Sequence, residues 1–149
     1  MSETPLTTDP LAPAQPANAS APLATEEQIT ELVRRFYELA RADGRLGPLF
    51  DAAIQDYDGH MAIVRDFWSQ ILLGTGRYQG HPFRPHMHLP IELDHFDIWL
   101  KLFGLAARET LAPRTAELAL ARAEHMTKSF KVGMFPFTAP DGRPARKPG

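Results

Sequence analysis

Apolar residues between positions 25 and 43 recur every three to four residues, which is the repeat of an amphipathic helix. Thr25 and Gln28 have the capping-box spacing that begins such a helix. Its buried face is predicted to carry Ile29, Leu32, Val33, Phe36, Tyr37 and Ala40. The hydroxyl group of Tyr37 therefore lies on an apolar face, where it needs a hydrogen-bond partner.

A second helical stripe follows a predicted break. Residues 43–48 contain two glycines and a proline, which predicts a turn that leads into Leu49 and Phe50. Beyond it, a second set of residues at helical spacing comprises His60, Ile63, Val64, Phe67, Trp68 and Ile71. His60 thus begins a face that is otherwise apolar.

Two further helices are predicted after a central loop. Residues 74–90 contain three glycines and three prolines, which predicts mostly loop with room for about one helical turn near His86. The next helix is predicted to bury Phe96, Trp99, Leu100, Phe103 and Ala107. The last helix follows Pro113 and is predicted to bury Ala116, Leu120, Ala123, Thr127 and Phe130. There is no internal repeat and no convincing strand, so the predicted fold class is all-α.

Length and composition indicate one domain with two tails. The chain has 149 residues, of which 44% are hydrophobic, and this is ample for a single packed core. Residues 1–24 are rich in Pro, Ala, Ser and Thr and are predicted to be a disordered tail. Residues 25–134 are predicted to form the domain, and residues 135–149 a flexible C-terminal tail.

Charge and cysteine content exclude several classes of protein. A net charge of −2 provides no basic field for nucleic acid. The absence of cysteine excludes disulfides, zinc–thiolate sites and thiol nucleophiles, so any metal must be held by imidazole or carboxylate. No apolar run approaches the roughly 20 residues that span a bilayer. No Lys or Arg precedes Arg34, which is unlike a secretory signal, and we expect a cytoplasmic protein without membrane contact.

The segment RPHMHLP places His86 and His88 two residues apart. In a helix, residues with this spacing point in nearly opposite directions, so only one of the two imidazoles could face a cavity. In an extended segment both would share a face and could chelate a metal, with His81, Asp94 or His95 as further ligands. Both readings are compatible with the residues alone.

Polar-tipped side chains on three apolar faces predict a shared cavity. Tyr37, His60 and Trp99 belong to three different predicted helices, and His86 follows a loop that would end beneath the same core. A polar ligand inside such a cavity would supply hydrogen-bond partners for these groups. The alternative is that the aromatic residues fill the core with their polar tips at its edge.

Four segments resemble a truncated haemoglobin of group III: FYELARADGRLGPLF (36–50), HMAIVRDFWSQILLGTGRYQGHP (60–82), HMHLP (86–90) and HFDIWLKLF (95–103). They occur in the same order and spacing as in that family, and the resemblance covers roughly residues 26–133. It implies a two-over-two helical sandwich around haem b.

The resemblance also implies roles for individual residues. His86 would bind the haem iron, and His88 would face solvent. Tyr37, His60 and Trp99 would surround the gas-binding side of the iron, with His60 in a distal or gating role rather than permanent coordination. The residues that would contact the cofactor are Phe50, Val64, Phe67, Phe96 and, through a propionate group, Arg84.

The implied function is a monomeric haem protein that binds O2, NO and CO. Donors at Tyr37 and Trp99 would slow the release of O2, which favours a redox activity such as NO detoxification or peroxide reduction over O2 transport. No flavin, nicotinamide or cysteine-pair motif is present, so electrons must come from a separate, unidentified donor. The alternatives are a gas sensor, a haem-free helical scaffold and a non-haem metal protein that uses the His-x-His loop.

Overall fold

The computed structural model describes residues 22–80, 82 and 86–147. In this part of the chain, five α-helices are followed by a short antiparallel hairpin. The helices are α1 (Glu26–Ala42), α2 (Leu46–Ala53), α3 (Tyr57–Leu73), α4 (Leu93–Thr110) and α5 (Pro113–Met134), and the strands are β1 (Phe137–Thr138) and β2 (Pro144–Ala145). The all-α prediction is confirmed.

Helix α1 begins as its sequence predicts. The Thr25 hydroxyl accepts a hydrogen bond from the Gln28 backbone N–H at 3.0 Å, and the Gln28 side chain accepts one from the Thr25 N–H at 2.9 Å. All six residues of the predicted inner face are buried. Packing extends to Leu23, whose carbonyl accepts a hydrogen bond from the Thr115 hydroxyl at 2.6 Å. The remainder of the predicted N-terminal tail, residues 1–21, lies outside the described residues.

The turn predicted for residues 43–48 was wrong in its extent, because α2 begins at Leu46 and contains Gly47 and Pro48. Proline is tolerated in the first turn of a helix, where its missing N–H would have no partner within the helix. A Cβ atom at Gly47 would lie 2.6 Å from the carbonyl oxygen of Arg41. Glycine at this position therefore lets α2 pack directly against the end of α1.

The expectation that the chain has no strand was also wrong. Strands β1 and β2 pair antiparallel, with Phe137 opposite Ala145 and Thr138 opposite Pro144. Gly142 lies in the turn between them with a φ of 86°, a backbone conformation that favours glycine. Two-residue strands are too short to produce an alternating hydrophobic pattern, and so the sequence did not reveal them.

The long helices form two layers. Helix α1 packs against α3 in one layer, α4 packs against α5 in the other, and the layers meet where α1 contacts α4. This arrangement confirms the two-over-two sandwich. The main core is built around α1, whose Ile29, Leu32 and Ala40 are fully inaccessible to solvent. A second cluster consists of Ile91, Phe96, Phe130 and Met134.

Within the described residues, no helix is both long enough and apolar enough to span a lipid bilayer.

Candidate functional site

A cavity of about 670 Å³ lies between the helical layers. Small-molecule sites in proteins range from about 300 to 1,000 Å³, so this cavity is large enough for a sizeable ligand. Most of its wall is apolar. The predicted polar-tipped residues that line it are Tyr37, His60, His86 and Trp99.

Tyr37 and His60 form a hydrogen-bonded pair at the cavity wall. Tyr37 projects from α1 and His60 from α3, and the Tyr37 hydroxyl lies 2.7 Å from Nε2 of His60. The two rings meet edge to face, with centroids 5.5 Å apart and an interplanar angle of 84°. This pairing supplies the partner that the buried Tyr37 hydroxyl requires.

Burial controls the protonation of both members of this pair. It raises the pKa of Tyr37, with a smaller contribution from Tyr57, so the hydroxyl keeps its proton at neutral pH. Burial also lowers the pKa of His60, and repulsion from His86 lowers it further. The His60 imidazole is therefore neutral at neutral pH, and each side chain holds one proton that it can donate.

His86 is oriented by a backbone carbonyl. Its Nδ1 lies 2.5 Å from the carbonyl oxygen of Pro82, and because a carbonyl can only accept, Nδ1 carries the proton. Burial lowers the pKa of His86, although the Pro82 carbonyl opposes this effect. Nε2 of the neutral ring therefore has a free lone pair, and no described residue forms a hydrogen bond with it. The ring packs against Phe130, with centroids 5.0 Å apart.

Trp99 contributes a second potential donor. It lies in α4, stacks in parallel on Phe103 with ring centroids 5.2 Å apart, and meets Phe36 edge to face. Within residues 22–80, 82 and 86–147, nothing accepts a hydrogen bond from its indole N–H. A half-buried donor at the wall of a cavity is available to a ligand in that cavity.

The structure brings together the predicted site residues that it describes. Phe50, Val64, Phe67 and Phe96 all line the same cavity as the polar-tipped residues. Arg84, the predicted propionate partner, lies outside the described residues. The roles of all these residues toward a cofactor stay predictions.

Among the described residues, the alternative metal site at the His-x-His loop gains no support, and its candidate ligand His81 lies outside them. His86 lines the cavity, whereas His88 is exposed. The one group of potential metal ligands among the described residues consists of Glu92, Asp94 and His95. Arg45 already pairs with Glu92 at 2.9 Å and with Asp94 at 2.5 Å, which offsets part of the negative charge of this group.

Three contributors to the cavity were not foreseen as site residues. Pro82 orients His86, Phe130 packs on its ring, and Tyr78 meets Phe67 edge to face with centroids 5.2 Å apart. Phe130 belongs to the predicted stripe of the last helix, but the stripe does not indicate which loop it faces. Pro82 acts through its backbone, for which the sequence carries no signal.

Comparisons with known proteins agree on one family. The family described as bacterial-like globin matches residues 22–133. A group 3 truncated haemoglobin of Campylobacter jejuni is 33% identical over 117 residues, which cover 75% of this chain and 92% of that protein.

Solved structures give the same result. The crystal structure of the group III truncated haemoglobin of Campylobacter jejuni matches with a TM-score of 0.68 and 35% identity, over 72% of this chain and 88% of that one. The truncated oxygen-avid haemoglobin of Bacillus subtilis matches with a TM-score of 0.63 and 27% identity, over 71% of this chain and 92% of that one.

Proposed function

Because this chain belongs to the bacterial-like globin family, as a truncated haemoglobin of group III, we propose that its cavity holds haem b with His86 as the iron ligand. Family membership makes it a haem-binding globin that binds diatomic gases such as O2. The identity of the haem, the residue that binds its iron and the reaction that follows are our proposals.

The residues of the cavity fit a haem group. Its wall is mainly apolar, as a porphyrin ring requires, and includes the aromatic side chains of Phe50, Phe67 and Phe96. His86 offers an imidazole lone pair without a hydrogen-bond partner among the described residues, which suits an iron ligand. Tyr37 and Trp99 offer an O–H and an N–H at the same cavity.

Haem, when bound, supplies an iron that takes a diatomic ligand and exchanges electrons. His86 would hold the group in place through Nε2. The Pro82 carbonyl accepts a hydrogen bond from the Nδ1–H group, which fixes the ring orientation and makes Nε2 more basic. Phe130 restricts rotation of the ring from the side of α5.

Tyr37 and Trp99 act as donors to a diatomic ligand in the cavity. When Nε2 of His60 carries its proton, it donates to the Tyr37 oxygen, and the Tyr37 O–H is then free to donate to the ligand. Each donor stabilises a ligand of partial negative charge by about 1 to 3 kcal/mol in a dry pocket. Every 1.4 kcal/mol or so slows release by about tenfold.

His60 acts through Tyr37 in this proposal rather than as a permanent iron ligand. Its Nε2 is already engaged with the Tyr37 hydroxyl at 2.7 Å. The bond holds the imidazole at the cavity wall, where it can orient the hydroxyl and control entry of ligands.

Slow oxygen release favours turnover over transport. The proposed reaction is a redox one, either oxidation of NO by O2 to nitrate or reduction of peroxide. Oxidation of NO to nitrate by O2 takes up one electron in each turnover, and reduction of a peroxide takes up two. A separate reductase would supply these electrons. The structural relative from Bacillus subtilis is named as oxygen-avid, which agrees with slow release. A cytoplasmic location and a monomeric state stay predictions from the sequence.

The observation that carries this proposal is the convergence of Tyr37, His60, Trp99 and His86 on one apolar cavity. The test is an optical titration of the reduced protein with O2, CO and NO, followed by turnover assays with a chemical reductant. We expect a Soret band, binding of all three gases, slow loss of O2, and conversion of NO to nitrate or consumption of peroxide. Rapid loss of O2 without turnover would contradict the redox role, and the absence of a Soret band would contradict the haem site.

A further inference from the structure

Arg146, the residue after strand β2, binds the backbone beside His86. Its Nη2 donates to the Met87 carbonyl at 2.6 Å, and its Nη1 donates to the Leu89 carbonyl at 2.7 Å and, more weakly, to the Ile91 carbonyl at 3.4 Å. One guanidinium group thus recognises three carbonyls on alternate residues. These lie in the segment that joins His86 to helix α4.

This segment has no regular secondary structure to hold its backbone in place. Residues 87–92 belong to no helix or strand. Near His86, the Leu89 N–H donates to the His86 carbonyl at 3.2 Å. At the other end, the Glu92 N–H donates to Nδ1 of His95 at 2.8 Å, and the His95 N–H donates to the Glu92 carbonyl at 3.1 Å, which connects the segment to helix α4. In the part of the chain that the structure describes, the carbonyls of Met87, Leu89 and Ile91 accept hydrogen bonds from Arg146 alone.

The hydrogen-bond partners of the Arg146 guanidinium among the described residues are these backbone carbonyls. The guanidinium forms no ion pair with any carboxylate among the described residues, although its charge would allow one. Its planar group also lies 5.7 Å from the ring centroid of Phe135. Phe135 packs against the second cluster, which contains Phe130, the residue that touches the His86 ring. Through Phe135, Arg146 is therefore connected to the cluster whose Phe130 packs on the His86 ring.

The hairpin lies outside the part of the chain that the globin family describes. The family match ends at residue 133, whereas β1 and β2 span residues 137–145. Gly142 and the hydrogen bond from the Ala139 N–H to the Arg143 carbonyl at 2.7 Å close the hairpin and direct Arg146 toward the His86 segment. The contact of Arg146 with the carbonyls of Met87, Leu89 and Ile91, called the clamp below, therefore starts from a residue outside the matched region.

We propose that Arg146 is a positioning residue for His86. Arg146 fixes the backbone that follows His86 in the chain, while the Pro82 carbonyl fixes Nδ1 of the imidazole. The proposal rests on the role of His86 as iron ligand. Loss of the clamp would leave the segment after His86 free to move, so that the imidazole no longer approaches the iron along one fixed direction. The iron–imidazole bond would weaken and haem would leave faster.

The test compares three variants of the full-length, haem-loaded protein. Arg146→Ala removes the clamp, and Arg146→Lys keeps the charge but not the forked group that reaches separate carbonyls. Arg143→Ala is the matched control, because Arg143 is an exposed arginine of the same hairpin whose side chain contacts no described residue through a hydrogen bond or ion pair. The readouts are haem transfer to apomyoglobin, the iron–histidine stretching band of the reduced protein by resonance Raman, and hydrogen exchange of the amides of residues 87–92.

We expect haem transfer from Arg146→Ala to be about tenfold faster, which corresponds to about 1.4 kcal/mol and is of the size of a lost hydrogen bond from a charged donor. Its iron–histidine band should shift or broaden, and the amides of residues 87–92 should exchange faster. Arg146→Lys should fall between Arg146→Ala and the unmodified protein. Arg143→Ala should match the unmodified protein in all three readouts.

Unchanged transfer and an unchanged band in Arg146→Ala would overturn the proposal, and so would equal effects of Arg143→Ala. If Arg146→Ala does not fold, the Arg146→Lys variant decides, since an unaltered band there would also overturn it. A different variant, His86→Gly, shows whether the proposed role of His86 as iron ligand is itself wrong. In that case the iron–histidine band of the unmodified protein would persist in His86→Gly, whatever Arg146 does to hydrogen exchange.

Discussion

The two sides of the cavity are built in different ways. On one side, Tyr37 and His60 project from helices α1 and α3, and the buried face of α1 belongs to the main core. On the other side, His86 lies at the edge of an irregular segment, held by the Pro82 carbonyl and followed by a backbone that Arg146 binds. One side takes its geometry from helical repeats, and the other takes it from contacts between distant parts of the chain.

This difference separates two tasks. The helical side holds the hydrogen-bond donors in fixed positions, so substitutions there should alter how slowly a diatomic ligand such as O2 dissociates. The loop side carries His86, the proposed ligand of the haem iron, so substitutions there should alter how well the protein retains haem. Substitutions on each side therefore test whether the two tasks are separate.

The largest expected effect is that of His86→Gly. Loss of a residue that forms a hydrogen bond with a metal ligand weakens metal binding by about 10- to 100-fold. Loss of the ligand itself should weaken haem binding by more than this. Haem transfer to apomyoglobin measures the effect, and imidazole added to the buffer should partly restore haem binding. The control is His88→Gly, two residues away and exposed. Equal haem loss from both variants would remove the distinction between the two histidines.

Tyr37→Phe should alter the retention of O2 rather than the retention of haem. We expect O2 to dissociate about 10- to 100-fold faster, as loss of a strong donor in a dry pocket implies, while haem retention stays the same. Stopped-flow mixing of the oxygen-equilibrated protein with dithionite and CO measures the rate. Tyr57→Phe serves as control, since the Tyr57 hydroxyl donates to Asp51 at 2.6 Å rather than to a group of the cavity wall. A normal rate of oxygen loss in Tyr37→Phe would refute the donor role.

Trp99→Phe should have a smaller effect of the same kind. It removes the indole N–H but keeps an aromatic ring to stack on Phe103, so we expect oxygen release to quicken by up to about tenfold. The double variant with Tyr37→Phe shows whether the two donors bind the same ligand, because independent effects would multiply. No acceleration in Trp99→Phe would leave Tyr37 as the donor that retains oxygen.

The smallest expected effect concerns pH. Burial, and secondly His86, lower the pKa of His60 below its ordinary value of 6.5. As the pH falls below 6.5, the unfolded chain binds a proton at this imidazole before the folded chain does, so the free energy of unfolding falls. The effect is absent above that pH and is moderated by the partial exposure of the ring.

Urea unfolding of the haem-loaded protein on both sides of pH 6.5 measures this dependence. His60→Gln should reduce the slope on the acid side, because glutamine does not titrate. An identical slope in the variant would mean that other groups carry the acid dependence.

The same contrast explains which parts of the molecule could be predicted from sequence. The inner faces of α1 and α3 follow from helical spacing, and so the positions of Tyr37 and His60 on the cavity wall could be predicted before the fold was known. The start of helix α2 could not be predicted in this way, because glycine and proline are typical of turns. Gly47 and Pro48 lie instead in the first turn of the helix, where proline is tolerated. The relevant information for α2 is its close approach to Arg41, which is a tertiary contact.

The loop side was predicted only through resemblance to a family. The sequence alone left His86 and His88 open between a helical and an extended reading. The structure places His86 at the cavity and His88 in solvent. The Pro82 carbonyl binds Nδ1 of His86, and Arg146, 57 residues beyond Leu89, binds the backbone that follows. Backbone acceptors leave no trace in residue identity, and a long-range contact leaves none in local periodicity.

A crystal structure of the reduced protein with haem and CO would test the central claim most directly. We predict electron density for haem in the cavity between the layers, with its iron bonded to Nε2 of His86 and with CO on the side of Tyr37 and Trp99. Iron bonded instead to His60 or His88, or haem outside this cavity, would contradict it.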